Sequence, residues 1–174
     1  MGAGYLYQFI RFTAIVLIAV MAGYLVRNLI FRKLLHWGNA ARTRNEDIII
    51  AAVRGPFLIW WLILGVYVAL EVTPVSRHLA VLLDKLLMVL GIGSVTFTCA
   101  DIAVGLIGTN AARLENAMPI TSLTGNIARV AIFSLGLLLI LNSLGISIVP
   151  VLATLGVGGL AVALALQDTL ANFF

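Results

Sequence analysis

The sequence predicts an all-α, polytopic membrane protein, and three observations lead there. Of 174 residues, 62% are hydrophobic and 10% charged, more apolar surface than a soluble domain of this size can hide. The apolar residues run in continuous blocks instead of alternating, which selects helices over a membrane β-barrel. Each block is near the ~20 residues that cross a bilayer as a helix.

Five spans are expected in each protomer. The first covers about residues 7–29, with Tyr5, Tyr7 and Tyr24 at its borders, and runs into Arg27, Arg32 and Lys33. A polar connection, His36 to Asp47, leads to a second span at about 48–70 that contains Trp60 and Trp61. The loop Glu71 to His78, with Pro74, precedes a third span at about 79–109. A connection with Arg113, Glu115 and Pro119 then leads to a fourth at about 127–144. Residues 1–145 thus form a lipid-facing unit, and 146–174 a last helix in which Pro150 sits at a position that tolerates proline, the helix start.

Charge sets the expected orientation. Arg27, Arg32, Lys33, Arg42, Arg44 and Arg54 cluster around the first connection, whereas the second holds only Arg77 and the last turn none. By the positive-inside rule the first connection is cytoplasmic, the N-terminus outside and the C-terminus inside. The isoelectric point near 9.7 therefore reflects topology; the cations sit beside membrane spans and no nucleic-acid partner is expected. The opening MGAGYLYQ lacks the basic flank and cleavage site of a signal peptide, and Gly2 completes only half of a myristoylation signal. The single cysteine, Cys99, excludes an intrachain disulfide and is expected as a buried small residue.

The stretch from Pro150 to Phe174 is apolar, yet eight of its 25 residues are Gly or Ala. A helix facing only lipid has no need of small residues, whereas closely packed helix backbones do. At about 100° per residue, Ala153, Val157, Leu160, Leu164, Gln167 and Ala171 fall in one stripe. Gly156, Gly159 and Ala163 flank it on one side, Gly158, Ala161 and Ala165 on the other. Such a helix suits a copy of itself on each side, with the stripe turned to a common axis.

The run LGVGGLAVALALQDTLAN, Leu155 to Asn172, resembles the pore helix of the small-conductance mechanosensitive (MscS-like) channel family. The resemblance implies a homo-heptamer, partnered by membrane lipids and permeating ions, that opens under membrane tension and releases ions and small osmolytes on osmotic down-shock. It places Leu160 and Leu164 at the closed constriction, Ala153, Val157 and Gln167 along the pore, and a helix break at Gln167 and Asp168. Many members carry Gly after that Gln; here Asp168 is expected to act as N-cap of a new helix from Thr169. The resemblance also implies a cytoplasmic β-rich vestibule after this helix, absent from the sequence, so that the chain reads as the transmembrane part of a five-span member. A bacterial inner membrane is the expected location, with an organelle inner membrane as the alternative.

Other function classes have less to stand on. There is no P-loop, paired Cys, His cluster or Ser elbow, so neither an enzyme nor a metal or cofactor site is expected. Gly156-Val-Gly158-Gly-Leu-Ala161 satisfies a dinucleotide fingerprint, but lies inside an apolar helix without the preceding strand. A secondary transporter would show repeated halves, which five spans cannot supply. A non-conducting scaffold assembled through the Gly/Ala helix stays open. Among the polar residues, Arg54 either snorkels to the headgroups or pairs with Asp101 at similar depth, a candidate interhelix ion pair. Asp84 and Lys85 read as interfacial, His36 and His78 as solvated, and Asn142-Ser143 as part of the turn into the last helix.

Overall fold

The computed structural model describes residues 2–37, 44–111 and 118–173. They form seven helices: α1 (Gly2–Trp37), α2 (Arg44–Arg54), α3 (Phe57–Val72), α4 (Arg77–Ala111), α5 (Met118–Ser143), α6 (Val149–Ala165) and α7 (Gln167–Phe173). Among the described residues there is no strand. Arg42, Arg113 and Glu115 lie outside the described residues.

Among the described residues, four segments are long and apolar enough to cross a membrane: Leu6–Lys33, Asn45–Val72, Arg77–Thr109 and Ser122–Ser143. The expected fifth differs. α6 has 17 residues, a length of about 25 Å, short of a hydrocarbon core of about 30 Å. α1 and α5 are longer than the apolar blocks suggest, because polar turns such as Arg32–Lys33 and Ser122–Gly125 continue the helix beyond the hydrocarbon.

The second span is two helices, where one was expected. Gly55-Pro56 separates α2 from α3, because proline has no N–H to donate and its ring crowds the preceding turn. The break also separates two chemistries. α2 is polar, with Glu46 and Asp47 in its first turn and Arg54 in its last, matching the helix dipole at both ends. α3, FLIWWLILGVYVALEV, is apolar until Glu71.

Two antiparallel pairs, α1 with α3 and α4 with α5, make up most of the packing, and α4 also receives α2 and α3. Glycines set the close approaches. A Cβ on Gly65 would lie 2.5 Å from that of Ala19, and one on Gly23 2.5 Å from the Trp61 ring. Gly105 is filled in the same way by Ile48, and Gly136 by Thr96. Phe97 and Phe133 meet edge-on at 4.8 Å between α4 and α5.

The hydroxyls of α4 are satisfied within the helix or by a neighbouring segment. Thr96 and Thr98 donate to the carbonyls of Ile92 and Ser94, one turn back. Ser94 accepts a 2.7 Å hydrogen bond from the Trp60 indole, and Thr109 donates to Asn45 Oδ1 at 2.9 Å. Arg11 donates to the carbonyl of Val72 at 2.9 Å, which puts a cation on the C-terminal, partly negative end of α3. Cys99, expected to be buried, is exposed; it faces the apolar groove that α4 and α5 leave between Gly91 and Leu139.

Candidate pore helix

The approach to α6 is built by a helix-terminating turn. Gly145, with φ of 83°, is the one described residue in the left-handed region, where a Cβ is unfavourable. Its N–H bonds to the carbonyl of Asn142, and that of Ile146 to Leu141. These two bonds are those of a Schellman motif, which satisfies the last carbonyls of α5. Ser143 turns its hydroxyl back to Ile140 at 2.8 Å. Ser143 is therefore occupied at the end of α5, and Asn142 takes part in the turn through its backbone carbonyl.

α6 then begins at Val149, with Pro150 in its first turn, where a missing N–H leaves no intrahelical bond unmade. Thr154, the helix's lone hydroxyl, donates to the carbonyls of Pro150 and Val151, which hides its polarity along the helix axis. No residue of α6 is buried. Val157 is 72% exposed, Leu160 63% and Leu164 61%, and Ala153 is exposed as well. Leu160 and Leu164 are one turn apart, a rise of about 6 Å.

The small residues of α6 behave unlike those at the helix contacts, and like Gly93 and Gly108 of α4. Around Gly156, Gly158 and Gly159, an added Cβ would meet nothing within 4 Å. Ala161, Ala163 and Ala165 are exposed too. Gly23, Gly65, Gly105 and Gly136 each accommodate a neighbour from the same chain; the α6 glycines accommodate none.

The helix is interrupted where α6 ends at Ala165 and α7 starts at Gln167. Leu166 stands between them at φ −93° and ψ −3°, its N–H shared between the carbonyls of Leu164 and Val162. The expected break thus falls beside Gln167, but the role expected of Asp168 changes. Asp168 lies inside the first turn of α7, where its charge favours the helix N-terminus; the junction residue is Leu166. Because the bend keeps negative φ, it needs no glycine.

The expected Arg54–Asp101 pair is not formed. Asp101 lies 3.8 Å from Arg129 of α5, and Arg54 stands 5.9 Å from the centre of the Phe31 ring of α1. The two residues are at similar depth, since Trp60 faces Ser94 and Ile48 faces Gly105 along the same pair of segments. They occupy different faces, because α4 turns Asp101 toward α5 while the α2–α3 junction turns Arg54 toward α1. Two interactions have no counterpart in the sequence expectations, the Arg11 cap on α3 and the Trp60–Ser94 bond. Arg11 carried a signal in being a cation one turn inside an apolar span; the Trp60–Ser94 pairing depends on helix azimuth and carried none.

Comparison with known proteins bears on the same segments. The family model for "Mechanosensitive ion channel, transmembrane helices 2/3" matches residues 126–167, from within α5 through the Gly145 turn and α6 to Gln167. The chain is 29% identical over 168 residues to the small-conductance mechanosensitive channel MscMJ of Methanocaldococcus jannaschii, covering 93% of this chain and 48% of that protein. It is 51% identical over 53 residues to the large-conductance mechanosensitive channel MscMJLR of the same organism, covering 30% of this chain and 15% of that one. An uncharacterized MscS family protein of Helicobacter pylori is 56% identical over 43 residues, 25% of this chain and 7% of its own length. The chain thus spans about half, or less, of the length of these relatives. No solved structure matches. The matched segment agrees with α5, its turn and α6, and similarity to a small-conductance mechanosensitive channel runs along nearly all of the chain, which supports membership of the MscS-like mechanosensitive channel family.

Proposed function

We propose that the chain is the transmembrane part of a tension-gated ion channel in which copies of α6 surround a shared aqueous path. The observation that supports this is the contrast among the glycines. Gly23, Gly65, Gly105 and Gly136 are filled from within the chain, whereas Gly156, Gly158 and Gly159 all face open space, as Gly93 and Gly108 of α4 also do, but on an apolar helix with no buried residue. Gly and Ala on both flanks suit neighbouring copies of α6, since small residues favour close helix–helix approach in lipid. The stripe of Ala153, Val157, Leu160, Leu164 and Gln167 then faces the axis. The subunit number by resemblance is seven.

In the closed state, rings of Leu160 and Leu164 form a constriction too apolar and narrow to stay wet, and ions are blocked by dewetting. Membrane tension favours the state of larger in-plane area, and only such a difference between states lets tension gate. In this reading α1 to α5 form the lipid-facing paddle, and the Gly145 turn passes its movement to α6. The Arg-rich first connection is cytoplasmic, the N-terminus outside, and α7 lies at the cytoplasmic surface of a bacterial inner membrane. Ions and small osmolytes leave through the path on osmotic down-shock, with no covalent chemistry.

The test is patch recording from liposomes under graded suction. Leu164→Ser places a hydroxyl in the constriction and should lower the opening threshold. A threshold that is unchanged or raised removes Leu164 as the gate. Suction that evokes no current from the unaltered protein favours a non-conducting scaffold.

A further inference from the structure

Where α1 meets the α2–α3 junction, three arginines line one cavity. Arg27 and Arg32 of α1 and Arg54 of α2 line about 180 Å³ together with Tyr24, Asn28 and Phe31. That is room for about six waters at ~30 Å³ each. Phe31, 6% exposed, forms the floor. It lies under Arg54 at 5.9 Å and packs edge-on against Phe57 at 5.9 Å, and a cation over an aromatic face is held there. Among the described residues, no carboxylate lines the cavity. Glu46 and Asp47 sit at the far end of α2, and Asp101, nearest in depth, faces Arg129. Three like charges around one space repel unless an anion neutralises them.

The depth of the cavity identifies the source of the anion. The apolar run of α3 starts at Phe57, immediately after the break that follows Arg54, and the apolar run of α1 gives way to Arg32 and Lys33. The cavity therefore lies at the boundary between hydrocarbon and headgroups, and Tyr24 is of a type enriched at that level. Guanidinium groups bind phosphate oxygens in fork geometry, and basic pockets between membrane helices suit acidic headgroups.

We propose that Arg27, Arg32 and Arg54 form a binding site for a phosphate-bearing anion, filled at this depth by the headgroup of an acidic phospholipid. A zwitterionic lipid brings the same phosphate with its own cation, so the site prefers a headgroup of net negative charge. This proposal does not depend on conduction. It assigns the α1–α3 pair a lipid anchor on the side of the membrane where the first connection lies.

Native mass spectrometry of the detergent-solubilised full chain tests it, with phosphatidylglycerol, phosphatidylcholine or inorganic phosphate added. The unaltered protein should retain phosphatidylglycerol well above phosphatidylcholine. Retention should fall about fivefold for each of Arg27→Gln, Arg32→Gln and Arg54→Gln, while Arg77→Gln, at the opposite membrane surface, leaves it unchanged. Equal retention of the two lipids by the unaltered protein overturns the site without recourse to any variant. Equal losses from Arg77→Gln and Arg54→Gln overturn it as well, showing charge attraction without a site. Retention of inorganic phosphate with no lipid preference overturns the lipid as its source.

Discussion

The glycine contrast makes a prediction that separates packing within a protomer from packing between protomers. In Gly65→Ala the new Cβ would stand 2.5 Å from the Cβ of Ala19. Carbon atoms pack at about 3.5–4.0 Å, so α1 and α3 must part by about 1 Å locally. Overpacking of this kind costs about 1–3 kcal/mol. In Gly159→Ala the new Cβ meets nothing within 4 Å in its own chain, and the gain in helix propensity is up to about 1 kcal/mol. Within one protomer the two substitutions should therefore act in opposite directions. If copies of α6 approach one another as proposed, Gly159→Ala places a methyl group between them and should weaken assembly. The assay is thermal unfolding followed by Trp fluorescence, which reports on Trp61 against Gly23, paired with oligomer mass in detergent. The expected pattern is a less stable protomer for Gly65→Ala, and a weakened oligomer without loss of protomer stability for Gly159→Ala. Assembly unaffected by Gly159→Ala and by Gly156→Ala would refute the claim that these glycines meet another copy.

Other expectations are smaller. Trp60→Phe removes the donor to Ser94 and should lower stability by about 1 kcal/mol in unfolding experiments; Trp60→Phe with Ser94→Ala should lose less than the sum. Gly145→Ala forces a Cβ into the left-handed region at φ 83°, a penalty of about 1–2 kcal/mol, and should also shift the tension threshold, since this turn carries α6. A double-mutant cycle on Asp101 and Arg129 should give a coupling of about 0–1 kcal/mol, because the groups are 3.8 Å apart and both more than half exposed. The same cycle on Asp101 and Arg54 should give none.

What the sequence made legible was set by composition and by proline and glycine. Apolar runs located four spans, and the Gly/Ala-rich segment singled out α6, whose lack of partners in the chain accords with its composition. Helix ends were misjudged where polar residues such as Arg32 or Ser122 continue a helix past the hydrocarbon, since hydropathy reports the membrane and not the helix. The α2–α3 break was available in Gly55-Pro56, but the apolar residues on both sides made one span the simpler reading. Azimuth was the least legible. Arg54 and Asp101 have the right depth for each other, yet the direction each faces depends on which helices pack together, and no periodicity reports that. Cys99 shows the same limit: apolar neighbours in sequence suggested burial, whereas its side of α4 faces a groove.

The central claim is that α6 turns Leu160 and Leu164 toward water shared by several copies. Cysteine accessibility in Cys99→Ala channels tests it most directly, using a charged, membrane-impermeant thiol reagent during suction-evoked opening. Leu160→Cys and Leu164→Cys should each lose current on modification when open, while Val162→Cys, on the opposite face, should not respond. Current blocked through Val162→Cys, with both leucine positions inert, would contradict the account.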